Sequence, residues 1–202
     1  MIDCIEETVL PVDQRVLDLL LHSEYWNDLR FDPEYLATLS SIHGGTPTKQ
    51  YFTDSTGNIR RIGWFVSMFD EHSKLPGDFQ EDHMYQEQDT RVIDRSLPYL
   101  LDGESSIYRP LEDGPVRYYP FAALYNKESV PFTLCWHFTC GQNSICFDTS
   151  TDPFSVVLCE YDKAVEAFME YDRELDNRYD YSFLAPIADS FREFAKMLRS
   201  TP

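Results

Sequence analysis

The sequence has no long apolar run, and no stretch of it approaches the ~20 residues that a membrane-spanning helix needs. It also lacks an N-terminal basic region followed by an apolar segment, which a secretory leader would show. With neither signal present, we expect a cytoplasmic protein rather than a membrane-embedded or secreted one.

Basic residues are scarce. The chain holds 17 Lys and Arg against 35 Asp and Glu, which gives a formal net charge of −18. Such a chain repels phosphate backbones and anionic lipid heads, and it attracts basic surfaces. We therefore predict no nucleic-acid partner and no membrane partner, and we expect any protein partner to be basic.

The chain has few cysteines, and their number is odd. Because the sequence also lacks a secretion signal, we expect free buried thiols rather than disulfides. The five cysteines are Cys4, Cys135, Cys140, Cys146 and Cys159. Cys135, Cys140 and Cys146, together with His137, have the side chains that zinc prefers as ligands. The paired Cys-x-x-Cys spacings of zinc sites are absent, however. No motif around them resembles a cysteine hydrolase. The sequence thus predicts no metal site, no cofactor and no catalytic residue.

Apolar residues, by contrast, are plentiful. Hydrophobic residues make up 43% of the chain and aromatic residues 15%, enough to offset the conformational entropy that a disordered chain retains. A chain of 202 residues can bury a core without metals or disulfides. We expect one folded domain over residues 1–202.

Apolar spacing and caps predict two helices near the N-terminus. The first runs from about Asp13 to Trp26, with Asp13 as its N-cap. Its inward residues are Val16, Leu19 and Leu20. The second helix begins with Asp32 as its cap and Pro33 at the first helical position.

This second helix has Leu36 and Leu39 on its inward face, and Gly44 suits the left-handed position that follows a helix. After it, the β-rich stretch from residue 50 to residue 69 predicts a hairpin that turns at Ser55 to Asn58. Residues 70–115 are acidic and interrupted by prolines, and we interpret them as an insertion.

Strand patterns return after residue 130. Runs at 132–138, 145–147 and 156–160 predict an antiparallel meander. An acidic helix follows over 163–178, interpreted as a second insertion, with Val165, Phe168 and Met169 inward. The stretch "LAPIADSFREFAKML", residues 184–198, has the spacing of an amphipathic helix that closes the sheet. Helices, then strands, then helices indicate an α+β fold with a mostly antiparallel central sheet.

Three blocks, "FDPEYLATLSSIHGG" with "GWFVSMF", "GQNSICFDTSTDPFSVVLCEYD" and "PIADSFREFAKML", resemble the SUKH superfamily of Smi/Knr-like proteins. His43 stands where that family usually has asparagine, and the two insertions have no counterpart in it. The resemblance implies structural roles for Pro33, Gly44, Gly45, Trp64, Asp148, Asp189, Phe191 and Phe194.

The resemblance implies a binding protein rather than an enzyme. Bacterial members are mostly immunity proteins that neutralise a polymorphic toxin, often a nuclease, and fungal members regulate cell-wall assembly. A basic toxin domain would suit this acidic chain. We therefore predict an immunity protein that neutralises a bacterial toxin by stoichiometric binding. The first alternative is an intracellular scaffold or regulator of cell-wall assembly, and the second is a thiol- or metal-dependent hydrolase at the cysteines. The carboxylates expected to meet a partner are Glu81, Asp82, Glu87, Asp89, Glu166, Glu170, Asp172 and Glu174.

Overall fold

The computed structural model describes residues 2–22, 29–68, 97, 118–125, 143–170 and 181–202. Within these ranges the chain forms six strands and four α-helices, which confirms the α+β prediction. The strands are β1 Tyr51–Thr53, β2 Ile59–Phe65, β3 Tyr118–Leu124, β4 Ser144–Asp148, β5 Ser155–Cys159 and β6 Leu184–Ala188. The helices are α1 Gln14–His22, α2 Pro33–Ile42, α3 Tyr161–Glu170 and α4 Phe191–Met197, preceded by a 3-10 turn at Glu6–Thr8.

The strands form one sheet in chain order, β1 to β6, and every neighbouring pair is antiparallel. The predicted hairpin of β1 and β2 and the predicted pairing of β4 with β5 are both confirmed. The outer edge of β1 is paired at one residue, because Tyr51 exchanges two backbone hydrogen bonds with Arg199. The predicted run at 132–138 lies outside the described residues.

The prediction of one helix over residues 184–198 was wrong. Its first part, Leu184–Ala188, is strand β6, which pairs with β5, and α4 covers only Phe191–Met197. Pro186 has no backbone N–H, and proline disfavours the helical conformation in the residue before it. The Ser190 side chain accepts the N–H of Glu193 at 3.2 Å and so starts the helix there.

Strand β3 was not predicted at all. All seven of its residues are buried, so it shows no alternation of polar and apolar side chains. It also contains Pro120, which normally argues against a strand, but here Pro120 lies where the pairing with β4 shifts register. A run that is apolar on both faces carries no period by which a strand is recognised.

The cap of α1 is confirmed, because the Asp13 carboxylate accepts the N–H of Arg15 at 3.0 Å. Val16 and Leu20 are buried as predicted, but Leu19 is 49% exposed, so its inward assignment was wrong. Val16 and Leu20 are one turn apart and define the buried face, and Leu19 falls at its solvent side. The predicted continuation beyond residue 22 lies outside the described residues.

The start and end of α2 are as predicted. Asp32 accepts the N–H groups of Glu34 and Tyr35, both at 2.9 Å, and Pro33 occupies the first helical position. Gly44 has φ of +65°, and a Cβ at this position would lie 2.8 Å from the Leu10 side chain. A side chain at this position would therefore face both backbone strain and a steric clash.

An aromatic cluster between the sheet and the helices α2 and α4 forms the centre of the core. Phe121 of β3 stacks on Phe147 of β4 with ring centroids 4.2 Å apart. Phe191 and Phe194 approach Phe121 edge-on at 5.7 and 5.5 Å, and both are buried. The prediction that the terminal helix closes the sheet through these two phenylalanines is confirmed.

Tyr35 contributes its ring to this cluster, but its hydroxyl has no hydrogen-bond partner among the described residues. The side chain is 1% exposed, and burial raises the pKa of its phenol. Tyr35→Phe keeps the ring contacts and removes the unpaired group, so we expect the free energy of unfolding to stay equal or rise by up to about 1 kcal/mol. Urea denaturation measures this change.

Tyr119→Phe is the matched control for that substitution. The Tyr119 hydroxyl accepts the backbone N–H of Asp32 at 3.2 Å, so its removal leaves a buried donor unpaired. We expect this variant to lose about 1 to 3 kcal/mol of stability. Equal losses in Tyr35→Phe and Tyr119→Phe would show that the Tyr35 hydroxyl is hydrogen-bonded after all.

Helix α3 corresponds to the predicted acidic helix but starts earlier, at Tyr161, and is described as far as Glu170. Ala164 faces inward and Glu166 is exposed, in agreement with the predicted outward acidic face. In the described ranges no helix has both the length and the apolar character needed to cross a bilayer.

Candidate functional site

A groove of about 520 Å³ lies where the starts of α2 and α4 meet the loop between β4 and β5. Four acidic residues line it against a single basic residue, Arg192. The acidic residues are Asp32, Glu34, Asp152 and Glu193, and we call this site the acidic groove. The remaining lining is Pro33, Pro153, Phe154 and Ser190.

Local sequence signals place each wall of the acidic groove. The two Asp-Pro dipeptides of the chain, at Asp32 and Asp152, both face it: the first begins α2, and the second forms the β4–β5 loop. Proline favours helix starts and turns because its φ is fixed. Ser190 caps α4 and brings Arg192 and Glu193 into the first turn of that helix.

The four acidic residues differ in whether their carboxylates already have hydrogen-bond or ion-pair partners within the protein. Asp32 is buried and caps α2, Glu34 accepts a two-pronged contact from Arg192, and Glu193 pairs with Lys196 at 2.6 Å. Asp152 is exposed and has no hydrogen-bond or ion-pair partner among the described residues. Exposed ion pairs are weak, so Asp152 and Glu193 are the carboxylates most available to an incoming cation.

The β4–β5 loop is held in place by a hydrogen bond from Arg30 and by one to its own Thr151. Arg30 donates to the carbonyl of Thr149, and its guanidinium lies 5.4 Å from the centroid of the Phe154 ring. The Thr151 hydroxyl accepts the N–H of Ser155 at 2.8 Å. This wall of the groove is therefore formed before any ligand arrives, which lowers the entropic cost of binding.

A second groove of about 360 Å³ lies on the other side of the Glu34–Arg192 ion pair. Lys49 and Lys196 bring ammonium groups to its lining, together with the hydroxyl of Thr38. The ion pair thus separates a mainly negative surface from a mixed one. A partner that covers both grooves would meet charge of both signs.

The described lining of the acidic groove has no imidazole and no thiol. Its one hydroxyl, that of Ser190, accepts the Glu193 N–H. Across the ranges that the structure describes, no three His, Cys, Asp or Glu side chains converge in a way that would hold a metal ion. The chemistry that these groove residues support is the binding of cationic groups.

His43, the residue that departs from the family pattern, lies away from the groove in the core. Its Nε2 accepts the N–H of Met68 at 2.7 Å, and its Nδ1 lies 3.2 Å from the carbonyl of Leu10. Burial lowers the pKa of His43 to about 4, partly opposed by hydrogen bonds to the carbonyls of Leu10 and Pro11. The neutral imidazole therefore ties the N-terminal segment and the end of β2 to the end of α2.

The described cysteines are free thiols: Cys146 and Cys159 are buried and Cys4 is partly buried. Burial raises the pKa of Cys146 well above its ordinary value and that of Cys4 to about 12. A thiol with a raised pKa is a poor nucleophile at neutral pH. Cys135, His137 and Cys140 lie outside the described residues.

Among the predicted partner-binding carboxylates, only Glu166 has a described side chain. It is exposed on α3 and is not among the residues that line the acidic groove. Glu170 is the last described residue of that helix. The other six, Glu81, Asp82, Glu87, Asp89, Asp172 and Glu174, lie outside the described residues.

The residues implied by the family resemblance mostly have structural positions. Pro33 lines the acidic groove, Gly45 packs against Cys4 and Val9, and Asp189 is exposed next to the cap of α4. Asp148 ends β4, where its carboxylate accepts the N–H of Ser150 at 2.9 Å. Those placed in the sheet or the core are Trp64, which is partly buried in β2, and the buried Phe191 and Phe194.

Sequence reasoning missed Glu34, Asp152, Arg192 and Glu193 as residues of one site. The repeated Asp-Pro dipeptide and the serine cap were visible signals, but they lie far apart in the chain. Only the packing of α4 beside α2, with the β4–β5 loop next to both helix starts, brings them together.

Comparison with known proteins adds no relative. No family model matches the chain, and neither the curated proteins nor the solved structures yield a match. The resemblance to the SUKH superfamily therefore remains a prediction.

Proposed function

We propose that this protein is an immunity protein that neutralises the toxin of a bacterial polymorphic toxin system by stoichiometric binding. The observation that carries the proposal is the acidic groove, which is lined by four acidic residues and one arginine and where the exposed Asp152 has no partner among the described residues. The resemblance to the SUKH superfamily supplies the biological setting, and the formal net charge of −18 supports a basic partner.

A lysine or arginine of the toxin fits the chemistry of the groove. Its aliphatic stem packs against Pro153 and Phe154, and its charged end meets Asp152 and Glu193. Nuclease toxins are commonly basic because they bind phosphates, so an inhibitor of this charge also competes for the surface that their substrate uses. Long-range attraction speeds the encounter, with association reaching ~10⁸ to 10⁹ M⁻¹s⁻¹ at low salt.

Stopped-flow association with the product of the neighbouring gene tests this proposal. Asp152→Lys reverses a charge that is exposed and unpaired among the described residues, so the fold should be unaffected. We expect association to slow by about threefold to tenfold at low salt, and the difference to shrink toward ~0.15 M salt as the charges are screened.

Asp18→Lys on α1 is the matched control, because it makes the same charge change on an exposed helix face away from the groove. Glu166→Lys separately tests the face of α3 that the sequence suggested. Equal rates for Asp152→Lys and Asp18→Lys at every salt concentration would remove the groove from the interface. A neighbouring gene product that shows no binding at any salt would refute the immunity proposal itself.

A further inference from the structure

Three side chains form a row across the first three strands of the sheet. Tyr51 of β1 is the register partner of Arg61 of β2, and the N–H of Tyr125, just after β3, donates to the carbonyl of Arg61 at 2.7 Å. Residues directly opposite in an antiparallel sheet share a face. The Arg61 guanidinium carbon lies 4.3 Å from the centroid of the Tyr125 ring and 5.9 Å from that of Tyr51. We call this row the tyrosine–arginine clamp.

The clamp holds the guanidinium in one orientation. Besides its contacts with both rings, Arg61 donates its Nε–H to the side-chain carbonyl of Gln50 at 2.7 Å. Among the described residues its two Nη atoms have neither a hydrogen-bond acceptor nor an ion-pair partner. Its neighbour Arg60 differs, because it donates to the buried carboxylate of Asp54 at 2.7 Å.

The clamp can be reached from solvent. Tyr125 is 50% exposed, and Ile59, on the same strand as Arg61, is 52% exposed. Tyrosine and arginine are also the residue types over-represented where protein interfaces concentrate their binding energy. An arginine whose orientation is already fixed loses less side-chain entropy when it binds a ligand.

The ligand that fits the two Nη groups of Arg61, which lie in one plane, is a carboxylate, since guanidinium and carboxylate match in a two-pronged hydrogen-bonded pair. A free small anion or a nucleic acid has the right charge for Arg61 but is repelled by the chain as a whole, at −18. A carboxylate carried by a basic protein is not repelled, because the partner's net charge draws it in.

We infer that the tyrosine–arginine clamp binds an aspartate or glutamate side chain on the surface of the basic protein partner. The inference rests on the proposed function, because it takes the partner to be a basic protein. The clamp would act as a second, oppositely charged contact that fixes the orientation of a partner steered by the acidic surface.

Two lysine-rich peptides that differ only at one central residue, glutamate or glutamine, test the clamp by fluorescence anisotropy. Net charge alone predicts tighter binding of the glutamine peptide, which is the more positive of the two. The clamp predicts the opposite order, with the glutamate peptide about threefold to tenfold tighter on the wild-type protein. In Arg61→Gln the order should revert to that expected from net charge.

Arg15→Gln is the matched control, since it removes an arginine whose side chain is 45% exposed on α1 and should keep the glutamate preference. Arg61→Lys keeps the charge without the planar fork and should lose most of the preference. If circular dichroism shows that Arg61→Gln does not fold, Tyr125→Leu provides a second test, because it removes one ring of the clamp and should weaken the preference for the glutamate peptide.

A wild-type preference for the glutamine peptide would overturn the clamp, and so would a glutamate preference that survives in Arg61→Gln. Either result leaves the proposed function standing if Asp152→Lys still slows association with the neighbouring gene product. Failure of that association, with the glutamate preference intact, would refute the proposed function alone.

Discussion

Phe194→Ala is expected to lower the free energy of unfolding by about 3 to 5 kcal/mol, a large share of the ~5 to 15 kcal/mol that a domain typically has. Phe194 is fully buried, and its ring meets Phe52 at 5.6 Å and Phe121 at 5.5 Å. The seven-residue helix α4 is too short to be stable without this contact. Urea denaturation monitored by circular dichroism gives the change in free energy.

Two further variants test whether the loss of stability comes from the buried volume of Phe194. Phe194→Leu keeps most of the buried volume and should lose less than the alanine variant. Lys196→Ala removes an exposed side chain from the same helix and should stay within about 0.5 kcal/mol of the wild type. If Phe194→Ala unfolds like the wild type yet no longer binds the partner, α4 is an interface element and its assignment to the core is wrong.

Lowering the pH from neutral to about 4 is expected to destabilise the protein by about 3 kcal/mol through His43 alone, since burial lowers its pKa from 6.5 to about 4. Above pH 6.5 the imidazole is neutral in both states, and this contribution to stability is fully present. Between these two pKa values only the unfolded chain binds the proton, so unfolding becomes easier as the pH falls. Urea denaturation across a pH series measures how steeply the free energy of unfolding falls as the pH is lowered.

His43→Gln isolates this contribution from the carboxylates that titrate over the same range. The variant disturbs the hydrogen bonds to Met68 and Leu10, so it should be less stable at neutral pH, but its stability should fall less steeply as acid is added. His22→Gln removes an exposed imidazole and serves as the control. The prediction fails if wild type and His43→Gln have parallel pH profiles.

The caps show why some elements were predictable from the sequence. Asp13 and Asp32 each satisfy backbone N–H groups only two or three residues away, so the signal and the structure lie in the same short segment. Leu19 and β3 show the opposite case. Whether a residue at the edge of a helix face is buried depends on what packs there, and a strand buried on both faces has no periodic pattern.

The acidic groove and the tyrosine–arginine clamp depend on still longer-range contacts. The acidic groove joins Glu34 to Arg192, which are 158 positions apart, and the clamp joins three strands through the register of the sheet. A sequence can mark each of these side chains as charged or aromatic, but it does not show which of them will be neighbours.

By itself, then, the sequence determined the charge of the molecule, the starts of α1 and α2, the first hairpin and the α+β class. Each of these depends on composition or on interactions within a few residues. Only the tertiary structure decided that residues 184–188 form a strand, that His43 is buried and neutral, and that Asp152 and Glu193 line one groove. Those outcomes depend on burial and on the pairing of distant segments, because the free energy that selects them comes from contacts absent in any local stretch of chain.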